Sequence, residues 1–83
     1  MGSTDKKNID FKIIKIAKTV FKKKKLNIKS NPRDVQEWDS LNHIRLMISL
    51  QENFRIKFDL YEITNINSLE KWSKLIKKKL KVK

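Results

Sequence analysis

The residues of this chain best suited to chemistry are Asp39 and Ser40, which follow Trp38 and precede Leu41 at the head of an apolar helical run. Aspartate is a strong helix N-cap, so Ser40 is expected in the first turn of the helix that follows. Unpaired backbone N–H groups and the positive end of the helix dipole meet at that point. A phosphate ester on the Ser40 hydroxyl would be electrostatically favourable there. A serine held in this way is positioned to be modified rather than to catalyse. The same residues also read as a capped helix start and nothing more, and caps are far commoner than phosphoester sites. The surrounding chain has to separate the two.

Composition removes several chemistries at once. The chain has 83 residues, enough for one small domain whose core must come from a few helices or strands. It has no cysteine, which excludes disulfides, thiolate metal sites and cysteine nucleophiles, and a single histidine, His43, which excludes a multi-histidine metal centre. One histidine and scattered acids do not assemble a nucleophile, a base and an orienting group, so an enzyme is not expected. No apolar stretch approaches the roughly 20 residues of a membrane span, and no signal peptide is recognisable. A cytoplasmic monomer is the expectation. Residues 1–7, beginning Met1-Gly2-Ser3, read as a flexible tail or cloning remnant, and residues 8–83 as the domain.

The formal charge of +12 invites a nucleic-acid or anionic-membrane reading until it is mapped. Residues 1–30 carry ten Lys against two Asp, and residues 67–83 carry seven Lys against Glu70. Residues 31–39 are slightly acidic and residues 40–66 are neutral. The basic excess therefore lies in the two terminal segments, outside the serine segment. Lys, Ile and Asn supply 36 of the 83 residues, and all three have A/T-rich codons, so base composition accounts for much of the lysine. Weak, non-specific, salt-sensitive anion binding follows from the remainder.

Four elements must position Ser40. A first helix over about 8–24 is carried by Ile9, Ile13, Ile16, Ala17 and Val20, widened by Phe11, Ile14 and Phe21. A connection of about 14 residues follows, broken by Ser30-Asn31-Pro32 and pinned by Leu26, Ile28, Val35 and Trp38. Helix–helix connections commonly take about 2–8 residues, and long ordered loops often frame a site. The second helix runs from Ser40 to about Asn53; its Leu41, Ile44, Leu46, Met47, Ile48 and Leu50 cover more than a core stripe needs. Either that surplus faces a ligand or partner, or the helix is buried nearly all round. Phe54, Ile56 and Phe58 alternate with cations, but five residues fit an anchored loop better than a strand. A short third helix over Asp59–Thr64 turns Leu60 and Ile63 inward. In the last helix Asn67 is the expected cap and Glu70 completes a capping box.

A helix, a long loop, Asp-Ser-Leu heading an apolar helix, a short helix and a last helix: this order resembles the acyl carrier protein family over about residues 8–80. The most specific stretch is Asp39-Ser40-Leu41 with Ile44, Leu46, Leu50, Glu52 and Phe54, ending in Ile63 and Ile66-Asn67-Ser68-Leu69. With Trp38, His43 and Arg45 it is similar to stand-alone carriers of specialised bacterial pathways. The resemblance implies an all-α, four-helix bundle of acyl-carrier type with a long first loop and a short third helix. It implies that Ser40 receives 4′-phosphopantetheine from coenzyme A through a separate phosphopantetheinyl transferase, which supplies the magnesium and any base. The arm's thiol would then carry an acyl or aminoacyl thioester to acyl-activating or acyl-transfer enzymes of fatty-acid-like or specialised biosynthesis. Asp39 would position the serine, and Leu41, Met47, Ile48 and Ile66 would border the path of arm and cargo.

The departures from the family pattern are informative. Fatty-acid members carry acids along the second helix, whereas this chain has Asn42, Arg45, Gln51 and Asn53 there, with Glu52 the remaining acid. Charge complementarity governs encounter and partner choice, so a dedicated partner set with a less basic interface is expected around Arg45. His43 lies one turn beyond Ser40 and is either a contact for the phosphate or a partner, or an ordinary surface residue. Burial is the expectation for Trp38. The rival from another class is a basic helical nucleic-acid-binding domain, but its recognition helix would hold only Arg45, and no specific nucleic acid is expected.

Overall fold

The computed structural model describes residues 6–80, so the first five residues of the expected tail lie outside the described residues. Four helices follow in order: α1 (Lys6–Phe21), α2 (Ser40–Phe54), α3 (Leu60–Thr64) and α4 (Leu69–Leu80), with no strand among the described residues. α1 packs against both α2 and α4. Its contribution to the core is the row Ile9, Ile13, Ala17 and Phe21, four apolar residues spaced one turn apart and all buried. Leu46 and Leu50 from α2, Ile63 from α3, and Leu69, Trp72 and Ile76 from α4 close on that row. Full burial of a side chain of this size stabilises by about 1.5–3 kcal/mol. Phe11 lies on the opposite face of α1 and is 68% exposed.

The two long helices end where the backbone turns left-handed. Lys22 has φ 55°, and the N–H of Lys23 donates to the Lys18 carbonyl at 3.0 Å, closing α1 three residues before the expected Lys24. Arg55 has φ 56°, and the N–H of Ile56 donates to the Gln51 carbonyl at 3.2 Å. Both ends use the closure that glycine usually makes, but with side chains that disfavour it. The Gln51 side chain then accepts from the Phe58 N–H at 3.0 Å, which anchors 55–58 as a loop rather than a strand.

The long first loop is tied down at several points. Val35 and Trp38 are buried, and the Ser30 carbonyl accepts from the Leu69 N–H at 3.0 Å. That tertiary bond starts α4 at Leu69 and moves its cap one residue from the expected Asn67. Ser68 Oγ accepts from the Lys71 N–H at 3.1 Å, while Glu70 pairs with Lys29 at 3.3 Å instead of completing a capping box. The box occurs at α3, where Asp59 and Glu62 bond each other's backbone N–H. Here the inward expectation for Leu60 is corrected: Ile63 is buried, but Leu60 is 71% exposed. A five-residue helix buries only a narrow arc, and Ile63 occupies it.

Across α1 and α4, Asp10 joins the buried Ser73 hydroxyl and accepts an ion pair from Lys77 at 3.1 Å. Neither contact was visible in the apolar pattern.

Candidate functional site

α2 begins as its sequence dictates. Asp39 is extended (φ −100°, ψ −176°), and its Oδ1 accepts from the Asn42 N–H at 2.8 Å. The Asp39 carbonyl accepts from the His43 N–H at 2.8 Å, so the cap and the first helical bond come from one residue. Asn42 adds a further tie, its side-chain amide donating to the Glu37 carbonyl at 2.8 Å. Ser40 is the first helical residue and is exposed. No side-chain partner engages its hydroxyl among the described residues. In the first turn the Ser40 and Leu41 N–H groups have no acceptor one turn back, and they supply the positive end of the dipole. A phosphodiester on Ser40 fits this position: the hydroxyl is accessible, and the local field favours a negative group.

Ser40 opens onto a groove of about 390 Å³ between α2 and α3. Trp38, Asp39, Ser40, His43 and Ile44 line one side, and Leu60, Ile63, Thr64 and Ile66 the other. Of the residues singled out in the sequence, Asp39, Ser40, His43 and Ile66 therefore meet here. Leu41, Ile44 and Ile48 form an exposed apolar stripe on α2, joined outside the helix by exposed Leu60 and Tyr61. The surplus apolar surface of α2 thus faces outward rather than into the bundle. Met47 instead packs against the core. Arg45 and Glu52 are exposed on α2, and Glu52 is about 18 Å along the helix from Ser40 at 1.5 Å per residue. Ile44, Leu60 and Thr64 were not anticipated as groove residues; the exposure of Leu60 that brings it there depends on how α3 docks.

His43 is neither free nor at the surface. The Trp38 Nε1–H donates to its Nδ1 at 2.9 Å, and its Nε2–H donates to the Ile63 carbonyl at 2.9 Å. This pattern assigns the proton to Nε2, the tautomer that satisfies both partners. One imidazole joins the long loop, α2 and α3 directly beneath Ser40. The ring also belongs to an aromatic series: Phe21 and Trp38 at 5.1 Å, Trp38 and His43 stacked at 6.1 Å, His43 and Trp72 at 5.4 Å, and Phe58 edge-on to Trp72 at 5.0 Å. The buried Trp72 N–H finds no hydrogen-bond partner within the protein. Trp38 is 5% exposed, in agreement with its expected burial.

α3 is held over the groove by charge as well. The Glu62 carboxyl lies below its ordinary range because it accepts from the Asp59 N–H and, secondly, from Lys79. Lys79 sits 3.0 Å from Glu62 and over the Phe58 ring. No group of acids and histidines among the described residues could hold a metal ion, and no described helix is long and apolar enough to cross a membrane.

The fold and the capped serine have counterparts among solved structures. The solution structure of a holo acyl carrier protein from Geobacter metallireducens superposes with a TM-score of 0.79 at 29% identity, covering 86% of this chain and 84% of that one. The chain belongs to the acyl carrier protein family. A Mycobacterium tuberculosis protein described as an acyl carrier shares the fold, with a TM-score of 0.72 at 16% identity over 89% of this chain and 96% of that one. No family model and no curated sequence is similar enough to match. As a family member this protein is a carrier and not an enzyme. That agrees with a site that offers a placed hydroxyl and no catalytic set.

Proposed function

We propose that this protein carries an acyl or aminoacyl group as a thioester on a 4′-phosphopantetheine arm attached to Ser40. The observation that supports this most is the exposed, unpartnered Ser40 hydroxyl in the first turn of α2, capped by Asp39 and facing a groove. In the attachment step the Ser40 oxygen attacks the phosphorus of coenzyme A that bears the pantetheine unit. The new P–O bond forms as the bond to the 3′,5′-ADP portion breaks, and the serine proton leaves to a base of the transferase. This chain contributes position and field rather than acid–base chemistry. When attached, the arm supplies a terminal thiol that a cysteine-free chain otherwise lacks. Asp39 keeps the first turn formed, and Ile44, Leu60 and Ile66 give the arm an apolar bed. The exposed α2 and α3 stripe of Leu41, Ile44, Ile48 and Tyr61 contacts the enzymes that load and unload it, with Arg45 selecting among them.

Intact mass spectrometry after incubation with coenzyme A and a broad-specificity transferase tests the reading. The expected result is a gain of one phosphopantetheine that disappears in Ser40→Ala. No gain with several transferases overturns it.

A further inference from the structure

The interior behind Ser40 is occupied, and this bears on what the arm can carry. The floor of the groove is the His43–Ile63 bond at 2.9 Å, and the fully buried Trp72 ring lies directly behind His43. Phe58 and Trp38 close the two sides of that ring pair, and Phe21 backs Trp38. A chain of methylenes entering from Ser40 would have to part α2 from α3. Doing so removes both hydrogen-bond partners of His43 and displaces rings packed at interior density. A well-packed core does not yield that volume without losing the contacts that define it. The groove itself stays open to solvent and shields only what is small.

Resting on the carrier reading above, we infer that the cargo is a short acyl or aminoacyl group of a few carbons, held in the open groove and never drawn into the bundle. The groove suits such a group: apolar walls from Ile44, Leu60 and Ile66, with the Thr64 side chain at its edge.

The test compares the Ser40-modified protein charged with acetyl and with dodecanoyl groups, using a broad-specificity transferase and the corresponding acyl-coenzyme A. Cleavage of each thioester by hydroxylamine is followed by intact mass, and the indole N–H resonances of Trp38 and Trp72 are followed by NMR. Trp38→Phe assigns the two signals. The expected result is cleavage rates within about twofold of each other and both indole signals unmoved from the uncharged form. Protection of the dodecanoyl thioester by about tenfold, or a dodecanoyl-dependent displacement of the Trp72 signal, overturns the inference while leaving the carrier reading intact. Failure of Ser40 to take up the arm overturns the carrier reading, and this inference with it.

Discussion

The Trp38 indole N–H donates to His43 Nδ1 across 2.9 Å, and through this bond the long loop holds the helix that presents Ser40. The other face of the same imidazole reaches the Ile63 carbonyl, so the loop, α2 and α3 share one residue. Ser40 is placed by a cap in front of it and a bracket beneath it.

Removing the bracket leaves two polar groups without partners. His43→Ala is expected to lower stability by roughly 2–4 kcal/mol, from the unsatisfied Trp38 N–H and Ile63 carbonyl together with lost ring packing. Trp38→Phe removes one of those groups, so the double variant should be less destabilised than the sum of the singles by about 1 kcal/mol. Urea unfolding of the four proteins measures the coupling. Strict additivity would show that the bond contributes nothing.

The cap and the modified residue should separate experimentally. Asp39→Ala is expected to cost about 1 kcal/mol and to slow attachment of the arm, because the first turn of α2 frays. Ser40→Ala should leave stability within about 0.5 kcal/mol and abolish attachment. Thermal melts and intact mass on the same samples check both, and an Asp39→Ala protein modified at the wild-type rate would remove Asp39 from the positioning role.

Glu62 sets a pH dependence of known sign. Its carboxyl is held below the ordinary value of 4.5 by the Asp59 N–H and then by Lys79, so the folded protein binds this proton less readily than the unfolded chain. The contribution is present above the unfolded value and is lost as pH falls through the folded one. The stability difference between wild type and Glu62→Gln should therefore be constant near neutrality and shrink on acidification below that range. A difference that grows towards acid pH would contradict the geometry.

Two helix ends are strained by their side chains. Lys22 and Arg55 adopt φ 55° and 56°, where a Cβ is unfavourable. Lys22→Gly and Arg55→Gly should each stabilise by about 0.5–1 kcal/mol, in spite of the greater freedom glycine gives the unfolded chain. Denaturant midpoints decide; a loss at either position would mean that the side chain makes compensating contacts.

Arg45 is exposed on α2 where fatty-acid carriers place acids. Arg45→Glu is expected to raise loading rates with basic-faced fatty-acid enzymes and to lower them with this protein's own partners, with both effects weakened by salt. Rates unchanged with both partner sets would assign partner choice elsewhere.

Much of this protein is local and was therefore legible in its residues. The one-turn spacing of Ile9, Ile13, Ala17 and Phe21 determines which side of α1 is buried, and Asp39 ahead of Ser40 determines where α2 begins. Periodicity and capping are properties of neighbours in the chain, so they need no knowledge of the fold. The termini of α1 and α4 were less accessible. Lys22 turns left-handed without a glycine to announce it, and the Leu69 start is set by the distant Ser30 carbonyl. The same limit applied at the site. Asp39 and Ser40 stood out as a pair, but only tertiary packing brings Leu60, Ile63 and Thr64 alongside them, turns Leu60 outward and engages both nitrogens of His43. The interior ring series joins residues as far apart in sequence as Phe21 and Trp72. Hydrogen bonds and ring contacts between distant segments exist only once the helices have docked. Sequence alone therefore identified the residue to be modified, and tertiary structure decided what lies behind it.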